Sequence, residues 1–313
     1  MPRSRLPKRF MRLPYAYRLC TWRVDSDLLL PELITWGGGG DGSAADLVIV
    51  QGSVPDHLDD AVTPGKFIVV GADGSVLLHI RNLVRILVQD GRRITVEILR
   101  RDPEESWRLF LLGSTLAILC HQRGAYPLHA ASLRIGGRTL ALAGHTGAGK
   151  STLALGLVNR GHQLLSDDLS VLRAGSDGVD LLPAYPRLKL WRKSLEALGV
   201  GVEGLPRVRG SLEKYGLSPS GPFDPQPSRL DGIVVLKDGP LVRIERMRAV
   251  AAVPDLRSHV QRPGIGQHLR GAAALLAEAG RIAEAVPVYR LERPKTFDDV
   301  GAMVELIEAL PGR

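Results

Sequence analysis

Residues 144–151 read Gly-His-Thr-Gly-Ala-Gly-Lys-Ser and follow an apolar run, Leu140-Ala141-Leu142-Ala143. A helical pattern opens directly afterwards at Thr152-Leu153-Ala154-Leu155. This is G-x-x-x-x-G-K-S between a strand and a helix, the context in which such a loop wraps phosphate. Glycines let successive backbone N–H groups converge on phosphate oxygens, and the positive end of the helix adds to the attraction. Lys150 can reach the β- and γ-phosphates, and the Ser151 hydroxyl can join a Mg²⁺ shell. The nucleotide-contacting set is therefore Gly144, His145, Thr146, Gly147, Ala148, Gly149, Lys150, Ser151 and Thr152.

Beyond Ser151 the chain reads Gly161-His162-Gln163-Leu164-Leu165-Ser166-Asp167-Asp168. A short strand that delivers acids at its C-terminal end belongs beside the phosphate loop of a doubly wound sheet. Two adjacent acids allow a division of labour: one holds the metal while the other accepts a proton from an attacking hydroxyl. Sequence alone leaves open which aspartate does which. His129, in Tyr126-Pro127-Leu128-His129-Ala130-Ala131, sits on the strand before the loop.

These residues must be carried by elements that the hydrophobic pattern outlines. From Tyr17 to Leu99 the text is strand-like, with Leu47–Val50, Phe67–Val70, Val76–Ile80 and Ile94–Leu99 as short β-branched runs. Turn signals at Gly37–Gly40, Asp73-Gly74 and Asp90-Gly91 separate them, and a short helix is expected near Val84–Val88. Ser106 is placed to cap a helix through Trp107, Leu111, Leu112, Leu116 and Leu119 that stops at Gly124. From Pro127 onward, strand, Gly136-Gly137 turn, strand, Gly-rich loop, helix and strand alternate as in a nucleotide-binding α/β domain. Five prolines between Pro206 and Pro227 predict a long loop there. Gly232–Leu236 and Val286–Leu291 read as strands, and His268–Ala285 and Phe297–Leu310 as helices. The organisation expected is a basic arm over residues 1–16, a β-rich domain over 17–102 and an α/β domain over 103–313.

Composition limits the classes of function. In 313 residues, 44% are apolar and 24% charged, which supports a sizeable core and argues against wholesale disorder. The net charge of +8 is uneven, since residues 1–20 hold Arg3, Arg5, Lys8, Arg9, Arg12 and Arg18 and no acid. A basic arm on a nearly neutral body is unlike the basic stripe of a nucleic-acid binder. The longest apolar run, Phe110–Cys120, is too short to span a bilayer, and no secretory signal is legible. Cys20 and Cys120, far apart in sequence, suit a reducing compartment. A cytoplasmic protein is expected, with neither nucleic acid nor membrane as partner.

Taken together, His129, the 144–151 loop, the Asn159-Arg160-Gly161-His162 turn and Ser166-Asp167-Asp168 resemble the catalytic domain of bacterial HPr serine kinase/phosphorylase. The resemblance covers about residues 125–173. Arg262-Pro263-Gly264 is similar to an arginine segment of that family. The family's glutamate-containing signature after the Asp-Asp strand is replaced here by Pro183-Ala184-Tyr185-Pro186-Arg187-Leu188-Lys189-Leu190-Trp191. The N-terminal region is unlike the family's regulatory domain. The layout is more similar to HPr-kinase-related proteins associated with peptide natural products, among them lasso-peptide precursor kinases.

The resemblance implies an α/β fold: a phosphate-loop kinase domain of the HPr kinase type behind a small β-rich (α+β) N-terminal domain. It implies an ATP- and Mg²⁺-dependent serine kinase acting on a protein or peptide, either an HPr-like protein or a lasso-type precursor, and assembly into homo-oligomers. Lys150 and the loop amides would neutralise phosphate charge, Ser151 and Asp168 would hold Mg²⁺, and Asp167 would accept the serine proton with His129 orienting it. Lys189, Arg187, Lys214 and Arg262 could meet phosphate or an acidic acceptor. The rivals are a nucleotide-gated ATPase switch, a nucleotide-retaining module and a small-molecule kinase. No Asn-Lys-x-Asp or Leu-Ser-Gly-Gly-Gln segment occurs, which argues against GTPases and ABC ATPases.

Overall fold

Apolar residues at every second position build the N-terminal third into one sheet. The computed structural model describes residues 13–37, 44–62 and 67–311. Arg3, Arg5, Lys8, Arg9 and Arg12 of the basic arm lie outside the described residues, as do Gly38–Gly40 of the Gly-rich turn. Eight strands follow: β1 (Tyr15–Leu19), β2 (Trp22–Ser26), β3 (Ile34–Thr35), β4 (Leu47–Gln51), β5 (Ile68–Val70), β6 (Val76–Ile80), β7 (Val84–Gln89) and β8 (Arg93–Ile98). Their spatial order is β3-β1-β2-β4-β8-β7-β6-β5. The helix expected near Val84–Val88 is instead β7. Val84, Ile86 and Val88 alternate into the core, a period of two that a helix cannot bury on one face. Asp90 and Gly91, both at positive φ, form the tight turn into β8.

A continuous helical segment crosses under this sheet: α1 (Trp107–Phe110), a π-helical turn (Leu111–Thr115) and α2 (Leu116–Gln122). Ser106 does not cap it with its side chain; Asp102 Oδ1 accepts from the Ser106 amide over 2.7 Å, one turn earlier. Trp107, Leu111 and Leu116 share a core with Val24, Ile49 and Ile86 of the sheet, and Leu169, Val171 and Tyr185 join it from further along the chain. The hydrophobic core therefore runs across residue 103. Cys20 and Cys120 are free and buried in this core.

The remainder comprises β9 (Tyr126–Leu128), β10 (Ala130–Ile135), β11 (Arg138–Ala143), α3 (Lys150–Asn159), β12 (Gln163–Ser166), β13 (Ser170–Gly175), β14 (Gly178–Leu182), β15 (Leu188–Trp191), α4 (Arg192–Ala197), β16 (Lys214–Leu217) and β17 (Ser228–Arg229). It closes with β18 (Gly232–Asp238), β19 (Arg243–Arg246), α5 (Ala249–Ser258), α6 (Pro263–Arg270), α7 (Ala272–Ala285), β20 (Val288–Arg293) and α8 (Val300–Glu308). The protein is thus a mixed α/β structure. A six-stranded sheet runs β12-β10-β11-β18-β20-β19, with β11, β18 and β20 parallel. One face packs on α3 and α8 through Leu142, Leu153 and Val304; the other packs on α5 and α7 through Ala141, Leu256 and Ile282. A smaller sheet, β17-β14-β13-β9, adjoins it, and β15 pairs with β16.

Three further expectations need correction. The acid-bearing strand β12 does not lie beside β11, because the β10–β11 hairpin at Gly136-Gly137 puts β10 between them. The Pro206–Pro227 stretch is not all loop: its proline-free middle forms β16, seated by buried Tyr215. The helix expected over His268–Ala285 is broken at Gly271, whose φ of +86° ends α6 before α7 begins. Among the described residues, no helix is long and apolar enough to cross a membrane.

Candidate active site

The loop after β11 turns into α3 through Gly149, at φ +87°, a left-handed conformation that costs a side-chain-bearing residue energy. The Ala148 amide donates to His145 O over 3.0 Å, and Arg293, at the end of β20, donates through Nη2 to Ala148 O over 2.5 Å. No motif marks Arg293; only sheet order brings the end of β20 to the loop. His145 packs edge-on against His259, ring centroids 4.6 Å apart.

Lys150 is buried, and its ammonium donates to Gly144 O at 2.8 Å, His145 O at 3.0 Å and His129 Nε2 at 2.9 Å. All three protons are thereby engaged. Burial, only partly opposed by the Asp168 and Asp167 carboxylates, lowers its pKa to about 8. An ammonium can only donate, so His129 Nε2 is the acceptor and Nδ1 carries the proton, which it gives to Asp168 O over 2.9 Å. Burial, followed by the neighbouring Lys150 charge, lowers the His129 pKa. Gln261 Nε2 donates to the same Asp168 carbonyl over 3.1 Å and also lies 2.7 Å from His129 Nδ1.

The two aspartates part company at this point. Asp167 is buried; its Oδ1 accepts from Ser151 Oγ and its Oδ2 from the Lys189 amide, each over 2.8 Å. Burial, reinforced by Asp168, raises its pKa. Asp168 takes φ +69°, which turns its side chain out to the cleft, where its Oδ2 lies 3.4 Å from Lys189 Nζ and its Oδ1 3.4 Å from His129 Nδ1. Burial would raise the Asp168 carboxyl, but Lys189 foremost, with His129, Lys214 and Lys150, overcomes this and holds it at about 2. Of the two aspartates whose roles sequence left open, the one bonded to Ser151 is Asp167, because the left-handed backbone at Asp168 sends the second carboxylate the other way.

His129, Lys150, Ser151, Asp168 and Lys189 line one cleft of about 350 Å³, whose walls also carry Lys193, Lys214, Lys295, Trp191 and Phe297, while Asp167 stays buried behind Ser151. Of the further cations singled out by sequence, Lys189 and Lys214 reach the cleft, Arg187 turns to Glu32, and Arg262 bonds Ser114. Thr152 Oγ1 donates to Ser194 Oγ over 3.0 Å. Sequence reasoning missed Gln261, His259 and Arg293, none of which stands in a local pattern. A row of cations and loop amides facing a bonded hydroxyl–carboxylate pair suits a polyphosphate. A cleft-facing carboxylate beside it suits the hydroxyl group of an acceptor.

No family model matches the chain. HPr kinase/phosphorylases from two strains of Clostridium botulinum are each 34% identical to it over 83 residues, 26% of this chain and 26% of theirs. That stretch is HPr kinase-related. The chain spans about a quarter of the length of the curated relatives it matches. A solved structure, that of an Hpr(Ser) kinase/phosphatase from Coxiella burnetii, superposes on 59% of this chain and 92% of its own, with 17% identity and a TM-score of 0.29.

Proposed function

We propose that the protein is an ATP- and Mg²⁺-dependent kinase that transfers the γ-phosphoryl group to a serine hydroxyl of a protein or peptide. The observation that carries this reading is the convergence of Lys150, Ser151, Asp168, His129 and Lys189 on one cleft, with Asp167 buried behind Ser151 and bonded to it. The similarity to HPr kinase/phosphorylases supports it, and an HPr-like protein or a lasso-type precursor peptide is the acceptor class it suggests.

Magnesium fits the donor set. Ser151 Oγ and Asp167 are hard oxygen donors 2.8 Å apart at the loop mouth, and Mg²⁺ prefers one or two carboxylates completed by phosphate and water. When bound, the ion supplies charge neutralisation on the phosphates. Ser151 and Asp167 would hold it. Lys150 would exchange its bonds to Gly144 O and His145 O for phosphate oxygens while keeping His129 as its anchor.

Asp168 faces the acceptor side. The serine oxygen forms a bond to the γ-phosphorus as the bond from phosphorus to the β–γ bridging oxygen breaks, and the serine proton passes to the Asp168 carboxylate. Transfer of this kind is loose, with the proton lost late, so a low-pKa carboxylate that orients the hydroxyl serves the reaction. His129 is a positioning residue, tying Lys150 to the Asp168 backbone.

The test is incubation with Mg²⁺ and γ-phosphate-labelled ATP, offering HPr, serine-containing peptides and small alcohols in parallel, with Lys150→Ala as control. Label on a protein or peptide serine, absent in the control, is the expected result. Label released only as free phosphate, at a rate indifferent to any acceptor, would overturn it in favour of an ATPase.

A further inference from the structure

A second cavity, of about 280 Å³, lies next to the cleft, and Lys189 lines both. Its wall is composite. Glu32 comes from the β2–β3 connection of the N-terminal sheet, Arg108 from α1, Arg187 from the approach to β15, and Arg207 from the segment before β16. Glu32 Oε1 accepts from Arg108 Nε over 3.0 Å and from Arg187 Nη1 over 3.1 Å. The two arginine side chains are each only 20% exposed, and that of Glu32 only 10%.

One largely buried carboxylate therefore serves two largely buried guanidiniums, each spending a single nitrogen on it. Among the described residues, their other nitrogens make no further hydrogen bond to the protein; Arg108 also lies over the Trp107 ring, and Glu32 Oε2 is buried without a partner. Arg207, exposed at the rim, adds a third cation. Of the other acids lining the cavity, Glu105 is engaged by Arg101 Nη1 and the Trp107 indole, which leaves only Glu104. Desolvated charges in excess of their partners are costly, and planar guanidinium edges are shaped for a carboxylate.

We propose that this cavity receives a carboxylate of the acceptor, borne close to the serine that is phosphorylated. The inference rests on the kinase reading above. The position of the cavity supports it: the phosphate loop lies on one side of the Asp168–Lys189 pair, and an in-line acceptor must approach Asp168 from elsewhere. Lys189, the partner of Asp168, is the wall residue that the cavity shares with the cleft. It also gives the N-terminal sheet a part in the site, since Glu32 holds both arginines in place.

The experiment uses the full chain with Mg²⁺ and labelled ATP on a library of serine peptides. Asp or Glu, or their amides Asn or Gln, occupy positions one to three residues either side of the serine, with free-acid and amidated C-termini. Wild-type protein is expected to use acidic peptides about tenfold better in kcat/KM than their amide counterparts. Comparing free-acid with amidated peptides tells a terminal carboxylate from a side-chain one. Arg187→Gln and, on the exposed rim, Arg207→Gln should each raise KM for the acidic peptides without moving KM for ATP. Equal use of acidic and amide peptides by wild type, or a preference that survives in both variants, overturns the proposal and leaves the kinase reading standing. A library in which no peptide is labelled, with none of HPr or the small alcohols labelled either, overturns both.

Discussion

His129 Nδ1 donates to the carbonyl oxygen of Asp168 over 2.9 Å, and this bond joins two strands at the point where each changes sheet. On one side of His129, Leu128 pairs with Ser170 in the four-stranded sheet; on the other, Ser132 pairs with Ser166 in the six-stranded sheet. Asp167 and Asp168 occupy the matching break between β12 and β13. The interruption of two strands at one level frees the two aspartates from ladder duty and fixes the histidine against them. From that corner His129 Nε2 reaches Lys150.

The opposite orientations of the two aspartates give distinguishable mutants. Asp167→Asn should weaken Mg²⁺-dependent nucleotide binding and abolish transfer. Asp168→Asn should abolish transfer, by about a hundredfold or more, while nucleotide affinity holds. Titrations of nucleotide with and without Mg²⁺, run beside transfer assays, read both effects; the reverse pattern would exchange the roles.

Lys150 sets a proton-linked signature. Its ammonium, with pKa lowered to about 8, is half deprotonated near that pH in the free protein, whereas phosphate oxygens favour the charged form. Nucleotide binding should therefore take up a proton at and above pH 8, and affinity should fall as pH rises through that value. Calorimetry in two buffers of different ionisation enthalpy measures the uptake. Lys150→Ala should abolish it, and a wild-type uptake of zero would contradict the assignment.

Gly149→Ala probes the loop backbone. A Cβ there would meet Arg293 Nη2 at an ordinary 3.8 Å, so the penalty comes from φ +87° rather than from a clash. The expected cost is about 1–2 kcal/mol, seen as a lowered Tm together with weaker nucleotide binding. An unchanged Tm and affinity would show that the loop relaxes freely.

Trp107 tests the continuity of the core. It is 2% exposed among the residues that join the N-terminal sheet to the helix beneath it. Trp107→Ala should cost about 3–5 kcal/mol in chemical denaturation, whereas Leu241→Ser, at a position 70% exposed, should stay within about 0.5 kcal/mol.

Local chemistry made much of this protein legible as text. Glycine spacing around Lys150 and Ser151, the acids after a short apolar run, and the β-branched runs of β4, β6 and β8 each depend on neighbours in sequence, where propensity and turn chemistry act. Val84–Val88 reads equally as a helix because five residues are too few to tell the two periods apart; only pairing with β6 and β8 decides it. The strand at Lys214–Leu217 was hidden among prolines, for its partner Leu188–Trp191 lies far back in the chain.

Which residues face one another was beyond the reach of sequence, because that depends on contacts made across long loops. The side on which each aspartate presents its carboxylate follows from one left-handed residue, Asp168. The arrival of Arg293 at the loop follows from the order of strands in a sheet, and that of Gln261 at Asp168 from the α5–α6 connection running along β9. Sequence by itself determined the residue types and the loop that can bind phosphate. Tertiary structure decided that Ser151 pairs with Asp167, that Asp168 faces the cleft, and that Glu32 of the N-terminal sheet reaches Arg187, since only packing and hydrogen-bond closure can choose between partners that sequence lists as equals.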